Sequence, residues 1–385
     1  MKKILFLAVS AVLLAAGCQK TEIQNEAKTP IGFSSHMGKL TKANEPKAEH
    51  SGLFANLFEQ NFKVWGYFAT ENDINYSLNE LYLEGVQVKG EETATADSYT
   101  WYTDDIYYWP GKNKELDIYA VSSWENADQG YALTLFDDKN PNNNIVIDPV
   151  NRTLTVNDFV VKSSADNDLM VAPMIRQDQD DAKEVKPAFQ HALTKVLVKF
   201  KRSGEYPIYI VSAKTSQINS KATLTVTNTE PAAKSEIAPK VSTATLTWGE
   251  QSLPVEYSAE CSETFVKVTD VVGHASINEF NGVELKIDAD KKEAIPVTFG
   301  SWLLLPQEKT EKNSDPLANV YLDVEYIVDG NYILQRFMLK AGSVEEWKKN
   351  QQTTYNVTIS PDDITFDPDV KDWAPENTQE DNFEN

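Results

Sequence analysis

Cysteine is almost absent: Cys18 and Cys261 are the two in 385 residues. A disulfide framework and every CxxC-type redox or metal motif are thereby excluded, and stability has to come from packing. Histidine is nearly as scarce. His36, His50, His191 and His274 are scattered, and none stands in an HExxH or HxH spacing that puts two imidazoles on one metal. The acidic runs Asp166–Asp168, Asp178–Asp181 and Asp288–Asp290 lack the EF-hand pattern with its glycine, so no metal and no cofactor is expected. Arginine is limited to Arg152, Arg176, Arg202 and Arg336, and 36 basic residues stand against 58 acidic ones, for a net charge of −22. Nucleic acid is excluded as a partner, because phosphate binding needs a concentrated basic surface. No GxSxG elbow, Walker loop or GxGxxG fingerprint occurs. Carboxylates are abundant, yet nothing singles out a catalytic pair, and the expectation is a protein that is not an enzyme.

What the chain does have begins at its first residues. MKKILFLAVSAVLLAAGC carries two lysines and then a 13-residue apolar stretch from Ile4 to Ala16. That stretch is shorter than the roughly 20 residues a membrane-spanning helix needs, so residues 1–17 read as a signal peptide. AAGC behind an aliphatic run resembles the lipobox of bacterial lipoproteins, which implies that Cys18 is acylated and becomes the first residue of the mature chain. Residues 18–30 are polar and read as a lipidated tether.

From Ile31 onward the pattern is one of short segments rich in β-branched and aromatic residues, separated by Asp, Asn, Gly and Pro clusters. This predicts an all-β fold of antiparallel sandwiches. Ala222, Leu224 and Val226 alternate with threonines, as do Ala244, Leu246 and Trp248, and period two means one buried face. Val196, Val198 and Phe200 share a face, and Val320–Val328 is joined to Tyr332–Lys340 by Asp329-Gly330, a hairpin signature. Two short helices are predicted, over Ser51–Phe62 and over Ser343–Asn350, the second opened by a Ser343/Glu346 capping box. The length suggests two domains, at 31–187 and 188–373, followed by a flexible tail at 374–385. The polar run 177–186 is the expected linker, where a protease would release two separately stable halves. His191, between Phe189 and Leu193, is expected to be a buried, hydrogen-bonded histidine.

The densest aromatic stretch is YTWYTDDIYYWPG, Tyr99 to Gly111. Strand alternation predicts Tyr99, Trp101, Ile106 and Tyr108 inward, and Tyr102, Tyr107 and Trp109 nearer the surface as candidate ligand-facing aromatics. Exposed rings of this kind hold glycans. A non-polymerising surface lipoprotein that binds glycans or host ligands is therefore the alternative reading.

Several segments together resemble the fimbrillin family of Bacteroidetes, the lipoprotein precursors of type V pilus subunits and their Mfa-like relatives. They are the lipobox, IGFSSHMGKLTKAN, FKVWGYFA, YYWPGKNKELDIYAVS, DLMVAP, FQHALTKVLVKF, SWLLLPQ and ITFDPDVKDW, in order along nearly the whole mature chain. The resemblance implies two transthyretin-like β-sandwich domains in tandem, transport to the outer membrane, and assembly into fimbriae that mediate adhesion. Its partners would be other fimbrial subunits, the outer membrane through the lipid, and a host or bacterial surface receptor. It also implies loss of an N-terminal strand by proteolysis, leaving a groove that a neighbouring subunit's strand fills. Here that strand is Ile31, Gly32, Phe33, Ser34 and Ser35, and the loop after it carries Lys39 and Lys42. Relatives have arginine where Lys42 stands, whereas no arginine precedes Arg152 in this chain, so cleavage would need a lysine-tolerant, trypsin-like enzyme.

Overall fold

The structure, a computed structural model, describes residues 29–34, 36–37, 62–69, 77–92, 99–111, 114–123, 144–161, 168–181, 184–232, 239–259, 261, 263–311, 313–340, 344–361 and 364–372. They form strands and no helix. The first part of the chain supplies β1 (Gly32–Phe33), β2 (His36–Met37), β3 (Phe62–Phe68), β4 (Leu81–Glu92), β5 (Tyr99–Tyr102), β6 (Leu116–Ser123), β7 (Ile145–Asp148) and β8 (Thr153–Val160). Next come β9 (Leu169–Val171), β10 (Ile175–Gln177), β11 (Glu184–Val185), β12 (Ala188–His191), β13 (Thr194–Arg202), β14 (Ile208–Asn228), β15 (Lys240–Val241) and β16 (Ala244–Trp248). The last are β17 (Ser252–Ser258), β18 (Val266–Val268), β19 (Phe280–Glu284), β20 (Val297–Leu304), β21 (Tyr321–Val328), β22 (Asn331–Met338), β23 (Gln351–Ile359) and β24 (Ile364–Asp372).

Three large sheets result. One runs β2-β12-β9-β6-β3-β4-β5, with β10 beside β6 and β15 beside β10; a second runs β20-β13-β23-β24. The third runs β18-β19-β14-β21-β22, and β7, β8, β16 and β17 join it along β14. Period two is kept where the threonines announce it: Ala222, Leu224 and Val226 are buried, and so are Val196, Val198 and Phe200. Tryptophans tie separate strands together through their indole N–H groups. Trp302 donates to Ser258 O at 3.1 Å and Trp248 to Ala192 O at 2.8 Å. The expected hairpin is present, with Val328 opposite Asn331 and both Asp329 (φ 48°) and Gly330 (φ 72°) left-handed, the geometry of a type I′ turn.

The helix expected over 343–350 does not form at the described residues 344–350. Val344 and Trp347 have helical spacing and are both buried, but the backbone amides nearby are taken by distant acceptors. Trp347 N donates to Gln307 O, Lys349 N to Glu308 Oε1 and Asn350 N to Leu193 O, at 3.0, 3.2 and 2.9 Å. Nor does Glu346 cap its own segment, since its carboxylate accepts from Lys309 N at 2.9 Å. Of the other expected helix, 51–61 lie outside the described residues, and Phe62 opens β3.

Strand pairing runs across residue 187 in several places. β12 pairs with β9, β10 pairs with β15, and β8 pairs with β14 from Thr153–Thr227 to Val160–Lys221. β14 itself has 21 residues, about 70 Å of extended chain at roughly 3.3 Å per residue. Its first half pairs with β19 and β21, and its second half with β8 and β16. Between the halves the register with β17 shifts from Thr215 to Ile218, around Gln217 at φ 65°. A nick within 177–186 is therefore expected to leave one folded particle on a sizing column under native conditions. Elution as two separate halves would contradict it.

Candidate functional site

The N-terminal strand candidate lies between two stretches of backbone. On one side Pro30 bridges Tyr108 in the antiparallel sense. Ile31 N donates to Tyr107 O at 2.8 Å, and Trp109 N donates to Thr29 O at 2.9 Å. On the other side the pairing is parallel: Gly32 is opposite Glu184, Phe33 opposite Val185, His36 opposite Ala188 and Met37 opposite Phe189. The offset is constant, so β1 and β2 behave as one strand against β11 and β12. Ser34 N donates to Val185 O at 3.0 Å on this side.

Ile31 and Phe33 point inward and are each 6% exposed, while Gly32 and Ser34 between and beyond them are half-buried. Their floor is apolar. Val185, Phe189 and Trp109 are buried, and Phe189 and Trp101 each place a ring 5.3 Å from Phe62. Burying an isoleucine and a phenylalanine stabilises by about 3–6 kcal/mol together, which is enough to hold a short strand that few hydrogen bonds secure. A segment that replaced it would need comparable apolar side chains.

Of the site residues expected from sequence, Ile31, Gly32, Phe33 and Ser34 lie in this strand. Cys18, Ser35, Lys39 and Lys42 lie outside the described residues. The aromatic stretch is rearranged relative to the expectation. Trp109, expected nearer the surface, is 4% exposed, and Ile106, expected inward, is 71% exposed. The reason is local: β5 ends at Tyr102, and a turn in which Thr103 Oγ1 donates to Asp105 O at 2.6 Å breaks the alternation, so that Trp109 comes out on the inner side. Tyr102 is 43% exposed and Tyr107 half-buried. The three rings do not form one ligand-facing surface.

Residues 184–189, the long edge of the slot, straddle the end of the expected linker at 186 and the expected domain boundary at 187/188. The signal was the alternation in EVKPAF: Val185, Pro187 and Phe189 are buried, and Glu184, Lys186 and Ala188 are exposed. Just beyond, His191 is buried as expected. Its Nδ1 lies 2.7 Å from Asp168 Oδ2, tying the end of β12 to the residue preceding β9.

Among solved structures the chain is similar to a fimbrial protein from Bacteroides vulgatus, with 15% identity, 90% of this chain and 99% of that chain covered, and a TM-score of 0.47. It is also similar to the tip fimbrial protein Mfa3 from Porphyromonas gingivalis, with 13% identity, 82% and 96% covered, and a TM-score of 0.33. No curated protein matches. The family model described as fimbrillin-like matches residues 55–373. That span takes in the three large sheets apart from β2, and both edges of the slot, and on it the chain belongs to the fimbrillin-like family.

Proposed function

We propose that this protein is a lipid-anchored structural subunit of a type V pilus-like fimbria, with no catalytic role, that assembles by strand exchange and contributes to adhesion. In this reading Cys18 carries the lipid that holds the precursor at the outer-membrane surface, and the body is a pair of transthyretin-like sandwiches. Residues 29–37 are a resident strand, removed when a trypsin-like protease cuts after Lys39 or Lys42. Its partners are then other fimbrial subunits and a surface receptor.

The observation that supports this most directly is the position of the resident strand, paired on both sides and anchored by Ile31 and Phe33. Removing it would leave two unpaired edges over an apolar floor, the arrangement that strand addition uses. Treating purified precursor with a trypsin-like protease is expected to give a ladder of polymers on gels. Lys42→Ala combined with Lys39→Ala is expected to abolish the ladder without lowering the yield of folded precursor. Surface polymers whose subunits still begin at Cys18 would sink the release step.

A further inference from the structure

We infer that the slot around residues 29–34 accepts a replacement strand in one direction only, that of the resident strand, and selects two bulky apolar side chains separated by one residue. This deepens the strand-exchange reading and rests on it. The two edges of the slot have opposite senses. Residues 107–109 run antiparallel to the resident strand and residues 184–189 run parallel to it. Antiparallel bonds lie perpendicular to the strands in alternating narrow and wide pairs, whereas parallel bonds are slanted and evenly spaced. Tyr107 O, Trp109 N and Val185 O now meet their partners at 2.8–3.0 Å. A chain entering the opposite way would exchange the two patterns, meeting each edge with the bonding geometry that belongs to the other.

Side chains add a second constraint. A slip of one residue would turn every side chain to the other face, so the inward positions are those of Ile31 and Phe33. Their order matters as well. Ile31 N is bonded to Tyr107 O, next to the bond from Trp109 N to Thr29 O, and Phe33 is opposite Val185, so the smaller residue lies toward the end of the slot edged by residues 107–109 and the larger one toward the end edged by residues 184–185. The partner this slot fits is an extended polypeptide segment with an aliphatic residue, a small or polar residue and an aromatic residue in N-to-C order.

The test uses the full chain with Ile31→Ser and Phe33→Ser, which loosens the resident strand. Fluorescent peptides of sequence TPIGFSS, its reversal SSFGIPT and the control TPSGSSS are titrated against it by polarisation. TPIGFSS is expected to bind at least tenfold more tightly than the reversed peptide, and the control not to bind. Equal or tighter binding of SSFGIPT, binding of the control, or no binding by any peptide overturns the inference.

If the double variant does not fold, wild-type protein is followed by amide hydrogen exchange in excess peptide. TPIGFSS should speed exchange at Ile31 and Ser34 while Trp109 stays protected, and SSFGIPT should change neither. Equal effects of the two peptides, or none, overturn it here too. Polymer ladders without directional peptide binding would remove this inference alone. Directional binding without ladders would remove the assembly reading instead.

Discussion

Gly300→Ala is expected to lower the unfolding free energy by about 4 kcal/mol, a large part of the roughly 5–15 kcal/mol that holds a domain together. Gly300 has φ +84°, and a methyl group there would lie 2.4 Å from Trp302 Cη2 and 2.6 Å from Cζ2. The indole has nowhere to go: Trp302 is fully buried and its Nε1 is bonded to Ser258 O. The glycine sits at a bulge in β20, where the register with β13 shifts between Leu197 and Lys199, and a left-handed glycine is the usual occupant of such a bulge. Alanine incurs about 1–3 kcal/mol for the backbone conformation and about 1–3 kcal/mol for overpacking. Gly330→Ala separates the two effects. Gly330 is also left-handed, at φ +72°, but a methyl group there meets nothing within 4 Å, so only the backbone cost should appear. Urea denaturation of both variants checks this. Equal losses would show that the Trp302 contact is not the cause.

Asp117→Ala is expected to cost about 3–5 kcal/mol, the range for removing one partner of a buried ion pair. Asp117 is buried on β6 and accepts two hydrogen bonds from Arg176 on β10, Nε to Oδ1 at 2.7 Å and Nη2 to Oδ2 at 2.8 Å. Arg176 also donates to Glu230 at 2.5 Å, and Glu230 pairs with Arg152. The cluster links β6 and β10 to the ends of β8 and β14, which is why its loss should be felt by the whole core. Glu230 itself is 56% exposed, so Glu230→Ala should cost no more than about 1 kcal/mol. Asp117→Ala combined with Arg176→Met should recover most of the loss, because no charge is then left buried alone. A double variant as unstable as Asp117→Ala alone would mean that packing around Asp117, rather than the unpaired charge, dominates.

Several features were legible in the residues because local chemistry decides them. Strand alternation in ATLTV and TKVLVKF needs only the two-residue period of an extended chain, and Asp329-Gly330 needs only its own left-handed backbone. The buried His191 was readable from its apolar neighbours. Three others were not, and each failed for a different reason. Trp109 turned inward because a turn at Thr103–Asp105 resets the count, and alternation is informative only along an unbroken strand. The sequence over 343–350 carried a capping-box spacing and helical spacing, but at the described residues 344–350 Gln307, Glu308 and Leu193, all distant in sequence, meet that segment's backbone first. EVKPAF looked like the end of a linker because charge and proline outweighed three inward residues.

By itself the sequence determined the all-β class, the Asp329-Gly330 hairpin and the apolar faces, and its motifs pointed to the family. All of these rest on the character of residues within a few positions of one another. Only the tertiary structure decided what lies beside what. It placed Ile31 and Phe33 between residues 107–109 and 184–189, with opposite senses on the two sides, and it ran β14 through partners from both halves of the chain. The physical reason is that a strand's side-chain period fixes which face is buried, while its backbone donors and acceptors are the same for every residue except proline. Which edge satisfies them is settled only when the whole core closes.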